Sequence, residues 1–246
     1  MKYILILAIT VLLAACSKDT LNSNSNSTTQ NGLGGSLARF TLAGNYMYVI
    51  GDATLKTFDL TNPASPILKN SITIGTNIET IYPYKDNLFI GSQTGMSIYS
   101  ITNPAAPKLA GSALHVRSCD PVVANDTAAF VTLRRGSSCG SPNDGLYLYR
   151  ITNLLNPQLV NTLNLSTPYG LGLKDSTLFV CQGSTGLAVL NVNKIAAPVV
   201  LKTITGSDFR DVIPFGNLLV CYVTDGLALY DISNISNIQL IKKLMN

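Results

Sequence analysis

NIETIYPYKDNLFIGSQTGMSIYSITNPAAPKLAGS, residues 77–112, is the stretch whose reading decides the fold. Thr80 to Tyr84 alternates loosely between apolar and polar residues, and Lys85-Asp86-Asn87 is a turn cluster. Leu88 to Gly91 is a short apolar run, followed by a second turn at Gln93-Thr94-Gly95. Met96 to Ile101 alternates again, Thr102 to Pro107 breaks the chain, and Lys108 to Gly111 makes a last strand. Four short strands divided by such turns predict one antiparallel meander. Its closing phrase returns along the chain. It reads DLTNPASPIL from Asp59, SITNPAAPKL from Ser100, RITNLLNPQL from Arg150, NVNKIAAPVV from Asn191 and DISNISNIQL from Asp231, at intervals of 41, 50, 41 and 40 residues. A repeat of this length built from short strands predicts an all-β, β-propeller fold, with about five four-stranded antiparallel blades of roughly 41 residues.

The other repeats overlay on the first one read. A second-strand signal recurs at Met47-Tyr48-Val49, Ala129-Phe130-Val131, Leu178-Phe179-Val180 and Leu218-Leu219-Val220. A Gly-apolar pair recurs at Gly145-Leu146, Gly186-Leu187 and Gly226-Leu227, and third strands end in one register on Phe58, Tyr99, Tyr149, Leu190 and Tyr230. Pro66, Pro107, Pro157 and Pro198 suit the start of an edge strand, where no ladder N–H is required. Because the first repeat starts with its own inner strand near Leu37, blade packing alone is expected to close the ring. A closing blade shared between the termini is the alternative, should residues 36 to 43 pair elsewhere.

The pattern LFI…GM-I-ITNPAAPKL resembles the LVIVD repeat of secreted and lipid-anchored bacterial proteins, and the resemblance covers residues 37–246. It implies a propeller and implies no particular activity. Repeats four and five depart from the pattern, with Asn193-Lys194-Ile195 in place of Thr-Asn-Pro and Ile238 in place of the second Pro.

Ahead of the repeats, Lys2 precedes an apolar run from Ile4 to Leu13, too short to span a bilayer and shaped as a secretory signal. Leu13-Ala14-Ala15-Cys16 resembles the bacterial lipobox, which implies removal of residues 1–15 and acylation of Cys16, by palmitate or a similar chain. Two or more such chains anchor a protein stably. Residues 16–36 are otherwise polar and read as a flexible tether. Ser17-Lys18-Asp19 is similar to the export tag of Bacteroidetes surface lipoproteins. The expected location is therefore the cell envelope, on the outer membrane, with inward and outward facing both left open by the sequence and the membrane reached through the lipid.

Only 12% of the residues are charged and the formal net charge is +4. No basic run exceeds two residues, so nucleic-acid binding has no support. His115 is the single His, and no phosphate loop, HExxH or GxSxG motif occurs. No cofactor and no metal site is expected. The long third repeat carries extra residues at Leu133 to Asp144. Cys139 lies among them and Cys119 opens the same blade, and the two are read either as a disulfide or as free thiols. Cys181 and Cys221 are taken as small core residues at the same second-strand position of adjacent blades.

Inner-strand starts converge on one mouth of a propeller. Residues expected there are His115, Arg117, Asp120, Tyr169, Asp208, Arg210 and Asp211, with Arg134 and Arg135 on the long hairpin. The expectation is a non-catalytic binding module for an envelope protein or glycan. The alternative is a propeller-type hydrolase of glycans or small esters that works through the acids at the mouth. A scaffold within a multi-protein complex is a third reading.

Overall fold

The computed structural model describes residues 35–114, 121–135 and 143–245. Cys16, His115, Arg117, Cys119, Asp120 and Cys139 lie outside these described residues.

Five four-stranded antiparallel sheets follow one another along the chain, each a simple meander. Blade 1 comprises β1 (Phe40–Ala43), β2 (Tyr46–Ile50), β3 (Thr54–Asp59) and β4 (Ile67–Thr73). Blade 2 comprises β5 (Ile78–Tyr84), β6 (Asn87–Ser92), β7 (Gly95–Ser100) and β8 (Lys108–Leu114). Blade 3 holds β9 (Val122–Ala124), β10 (Ala128–Leu133), β11 (Gly145–Arg150) and β12 (Gln158–Leu163). Blade 4 holds β13 (Leu171–Lys174), β14 (Thr177–Cys181), β15 (Leu187–Asn191) and β16 (Val199–Ile204). Blade 5 holds β17 (Phe209–Phe215), β18 (Leu218–Val223), β19 (Gly226–Asp231) and β20 (Gln239–Met245). The drifted fourth and fifth repeats thus keep the strand order of the others.

The recurring phrase is the connection from third to fourth strand. In every blade a backbone carbonyl at the Asn position accepts from the N–H three residues on: Asn62 from Ser65, Asn103 from Ala106, Asn153 from Asn156, Lys194 from Ala197 and Asn234 from Asn237. The turn therefore survives the loss of Asn at Lys194, because it is closed by main chain. Just before Phe58, Tyr99, Tyr149, Leu190 and Tyr230 the ladder to the fourth strand slips by one residue. A bulge at one register in all five blades strengthens the local twist that sets neighbouring blades at an angle.

Successive blades pack face to face through apolar side chains. Tyr48, Ile50 and Leu55 of blade 1 meet Ile81, Leu88 and Ile90 of blade 2. Phe89, Met96 and Ile98 meet Val122, Ala129 and Val131 of blade 3. Phe130, Leu146 and Leu148 meet Leu171, Leu178 and Val180 of blade 4. Phe179, Cys181 and Leu187 meet Phe209, Leu219 and Cys221 of blade 5. Central β10 is consequently buried at every residue, whereas β1 alternates exposed and buried.

No such apolar cluster joins blade 5 to blade 1 among the described residues. Phe40 and Leu42 on the outer face of blade 1, and Tyr222 and Leu227 on that of blade 5, are exposed. Blade packing alone therefore does not close the ring, contrary to expectation, and β1 pairs within its own blade, so no shared blade closes it either. The connection runs through the segment ahead of β1. Ser36 donates from Oγ to the Asp211 carboxylate of blade 5 at 3.2 Å and accepts from the Leu171 N–H of blade 4 at 2.8 Å. The Ala38 carbonyl accepts from the Ile81 N–H of blade 2. Ser36, placed at the end of the tether by sequence, is buried and belongs to the fold.

Cys181 and Cys221 also differ from their sequence reading. Cys181 pairs across its hairpin with Leu187, but Cys221 pairs with Ala228, one step further along the repeat. The period is 2 in a strand, so a one-residue offset turns a side chain to the opposite face. The two thiols thus point into the same interface from its two sides.

Candidate functional site

The starts of the inner strands and the hairpins between second and third strands lie at one end of the fold. At this mouth, blades 3, 4 and 5 bring together Arg134, Tyr169, Asp208 and Arg210. Arg134 directly follows β10, Tyr169 lies just before β13, and Asp208 and Arg210 flank the first residue of β17.

Tyr169 is the centre of the group. Its N–H donates to the Cys181 carbonyl at 2.8 Å, extending the blade 4 ladder by one step. Its carbonyl accepts from Oγ1 of the buried Thr132 of blade 3 at 2.7 Å. The ring passes close to Gly183, where a Cβ would lie 3.0 Å from a ring carbon and the backbone has φ of 56°. Only glycine meets both demands comfortably. Gly183 also exchanges both backbone hydrogen bonds with Phe209, which fixes the blade 4 hairpin to the inner strand of blade 5.

Two guanidinium groups lie over the Tyr169 ring. The central carbons of Arg134 and of Arg210 are each 4.4 Å from its centroid, and they come from the blades on either side of it. Contacts this close engage the negative face of the ring. Arg210 donates from Nη2 to Asp208 Oδ2 at 2.7 Å and from Nε to Thr224 Oγ1 at 3.3 Å. Oδ1 of Asp208 is buried and makes no hydrogen bond among the described residues. Asp144 ties the long hairpin down: Oδ1 accepts from the Arg135 N–H at 2.6 Å and Oδ2 from the Thr167 N–H at 3.3 Å.

Two residues expected at the mouth have partners outside the Tyr169 group. Arg135 lines a separate polar cavity of about 350 Å³ with Asn143, Asp144, Tyr147, Thr162 and Asn164. Asp211 points into the fold, where burial pushes its carboxyl up to about 6 against the lowering effect of hydrogen bonds from Val212, Ser36 and Leu37. It fills space that only glycines leave: a Cβ at Gly35 or at Gly170 would come within 2.1 Å of its carboxylate oxygens. Arg210 is the extra residue at a register shift between Phe209 and Asp211; its side chain turns to Tyr169 and Asp208, and that of Asp211 to Ser36. Thr132, Asp144 and Gly183, which position the group, carried no signal in the repeat pattern, since each acts on a neighbour distant in sequence. Among the described residues no three of His, Cys, Asp and Glu come together as metal ligands would.

The LVIVD repeat family model matches residues 34–74, the lead-in and blade 1. No curated protein matches the sequence. Solved structures do. A functionally unknown protein from Desulfotomaculum acetoxidans superimposes with a TM-score of 0.66 at 14% identity, covering 82% of this chain and 67% of that one. The periplasmic gluconolactonase PpgL of Pseudomonas aeruginosa gives 0.62 at 14% identity, with 82% and 67% covered. BamB from Moraxella catarrhalis gives 0.56 at 11% identity, with 75% and 55% covered. At these identities the likeness is one of fold. Across the three, the chain spans between 55% and 67% of the other protein's length.

Proposed function

We propose that this β-propeller, matched by the LVIVD repeat model over residues 34–74, is a non-catalytic binding module of the bacterial envelope, held to the outer membrane through an acylated Cys16. The single observation that carries the binding role is the Arg134–Tyr169–Arg210 stack with Asp208. Residues from three blades converge there on one mouth, each held by hydrogen bonds or ring contacts, which supports a preorganised recognition surface. The anchoring rests on the lipobox-like Leu13–Cys16 and the polar tether.

The hydrolase reading draws less support from the described residues. A glycan hydrolase needs two carboxyls facing one substrate. Asp208 is paired with Arg210, and Asp211 faces Ser36 inside the fold. The test compares wild type with Tyr169→Ala for capture of envelope material, alongside turnover assays on a panel of glycans and esters. Loss of capture without any turnover is the expected result. Turnover that Asp208→Asn abolishes would replace the binding reading. Incorporation of labelled palmitate that Cys16→Ala eliminates tests the anchor separately.

A further inference from the structure

We infer that the outer face of blade 5 packs, head to tail, on the outer face of blade 1 of a second copy of this chain. The inference goes beyond the binding reading and does not depend on what the mouth holds.

Both halves of one more interface are written into the repeats. Blade 2 receives blade 1 through Ile81, Leu88, Ile90 and Tyr99. In blade 1 the residues 41 positions earlier are Phe40, Met47, Val49 and Phe58, and they pair across their strands in the same way. Blade 4 meets blade 5 through Phe179, Cys181, Leu187 and Val189. Their counterparts in the ladder of blade 5 are Val220, Tyr222, Leu227 and Leu229. Side chains alternate across a strand, so these residues of blades 1 and 5 turn away from the interfaces that their blades already make. All are apolar or aromatic, yet none belongs to an apolar cluster among the described residues. Phe40 is 58% exposed, Tyr222 53% and Leu227 37%.

Contiguous exposed apolar surface of this kind marks a contact site. The lead-in does not cover it. Ser36 is bonded to Asp211 and Leu171, and Ala38 to Ile81, so that segment runs past the inner strands of blades 5, 4 and 2 and leaves the two end faces open. A second copy supplies both absent partners at once. Each interior interface joins one face of each kind, so blade 5 of one copy against blade 1 of another continues the packing made between successive blades within the chain. A contact between unlike faces closes when two copies exchange it reciprocally, and otherwise extends into a string of copies.

The test is sedimentation equilibrium of the full chain carrying Cys16→Ala, so that no acyl chain draws copies into a common micelle. This parent should form dimers or larger species as its concentration rises. Phe40→Asp and Tyr222→Asp, added singly, should each weaken association at least tenfold while melting near the parent. An equimolar mixture of the two should recover a heterodimer, because the first keeps the face of blade 5 and the second that of blade 1. Leu227→Asp replaces Tyr222→Asp should the latter not fold. A parent that stays monomeric overturns the inference, as do variants that associate like the parent. Loss in one variant alone, or a mixture that stays monomeric, would show that like faces pair or that another surface does, and overturns the head-to-tail contact.

Discussion

Ser36 and Asp211, 175 residues apart, meet through a 3.2 Å hydrogen bond at the centre of the fold. The contact joins the segment ahead of blade 1 to the inner strand of blade 5, where no apolar cluster among the described residues does so. A carboxylate this buried is costly to ionise, and that cost gives the fold a pH dependence.

The Asp211 carboxyl is raised from 3.8 to about 6 in the folded chain. Its folded form holds the proton more tightly than the unfolded chain does. The resulting stability is fully present below pH ~4 and is lost as the pH rises through ~6. One pKa unit is about 1.4 kcal/mol, so the loss is up to about 3 kcal/mol. Urea unfolding from pH 4 to 7 measures it. In Asp211→Asn the slope should flatten, and an unchanged slope would assign it to another group.

Gly170→Ala should destabilise the fold by roughly 1–3 kcal/mol, because overpacking a filled site forces backbone or side chain to move. The added Cβ would lie 2.1 Å from Asp211 Oδ1 and 2.9 Å from the Asp211 Cα. Thermal melting checks this, and the double variant Gly170→Ala/Asp211→Ala should recover part of the loss.

Tyr48→Phe should cost about 1–3 kcal/mol. The Tyr48 hydroxyl of blade 1 donates to the Pro104 carbonyl of blade 2 at 2.9 Å, and the side chain is buried. Removing the donor leaves a carbonyl unpaired at the interface. Denaturant unfolding reads the change.

Phe130→Ala should be among the most damaging single changes, at about 3–5 kcal/mol, since its ring is fully buried between blades 3 and 4. Tryptic cleavage under native conditions should accelerate in step with the loss.

Cys181 and Cys221 should resist alkylation in the native state. Both are fully buried, and burial pushes both thiols well above their ordinary range. The thiolate is the reactive species. Peptide mapping after iodoacetamide treatment should find them modified only once the chain is unfolded.

Much of the fold was legible because a blade is a local object. Alternation, turn clusters and Pro before the fourth strand act over a few residues, and the motif at Asn62, Asn103 and Asn153 is itself a main-chain turn. That turn sits at the end of the blades away from the mouth, which is why the most regular feature of the chain is silent about function. The site was legible only in part. Repeat register placed Arg134, Arg135, Tyr169, Asp208, Arg210 and Asp211 on one surface; Tyr169 contacts Arg134 and Arg210, and Asp208 pairs with Arg210, whereas Asp211 turns to Ser36. It also made Cys181 and Cys221 equivalent. The third strands are 40 residues apart at Leu190 and Tyr230, but their partners Leu178 and Leu219 are 41 apart. A one-residue difference in hairpin length is invisible in the spacing of the repeats and reverses a side chain.

The sequence by itself determined the blades: their number, strand order and turns follow from short-range patterning repeated five times. Tertiary structure alone decided how the two ends of the chain are joined and which charges face the mouth. Both depend on where side chains from distant blades point once packed, and a strand's two faces differ by a single residue.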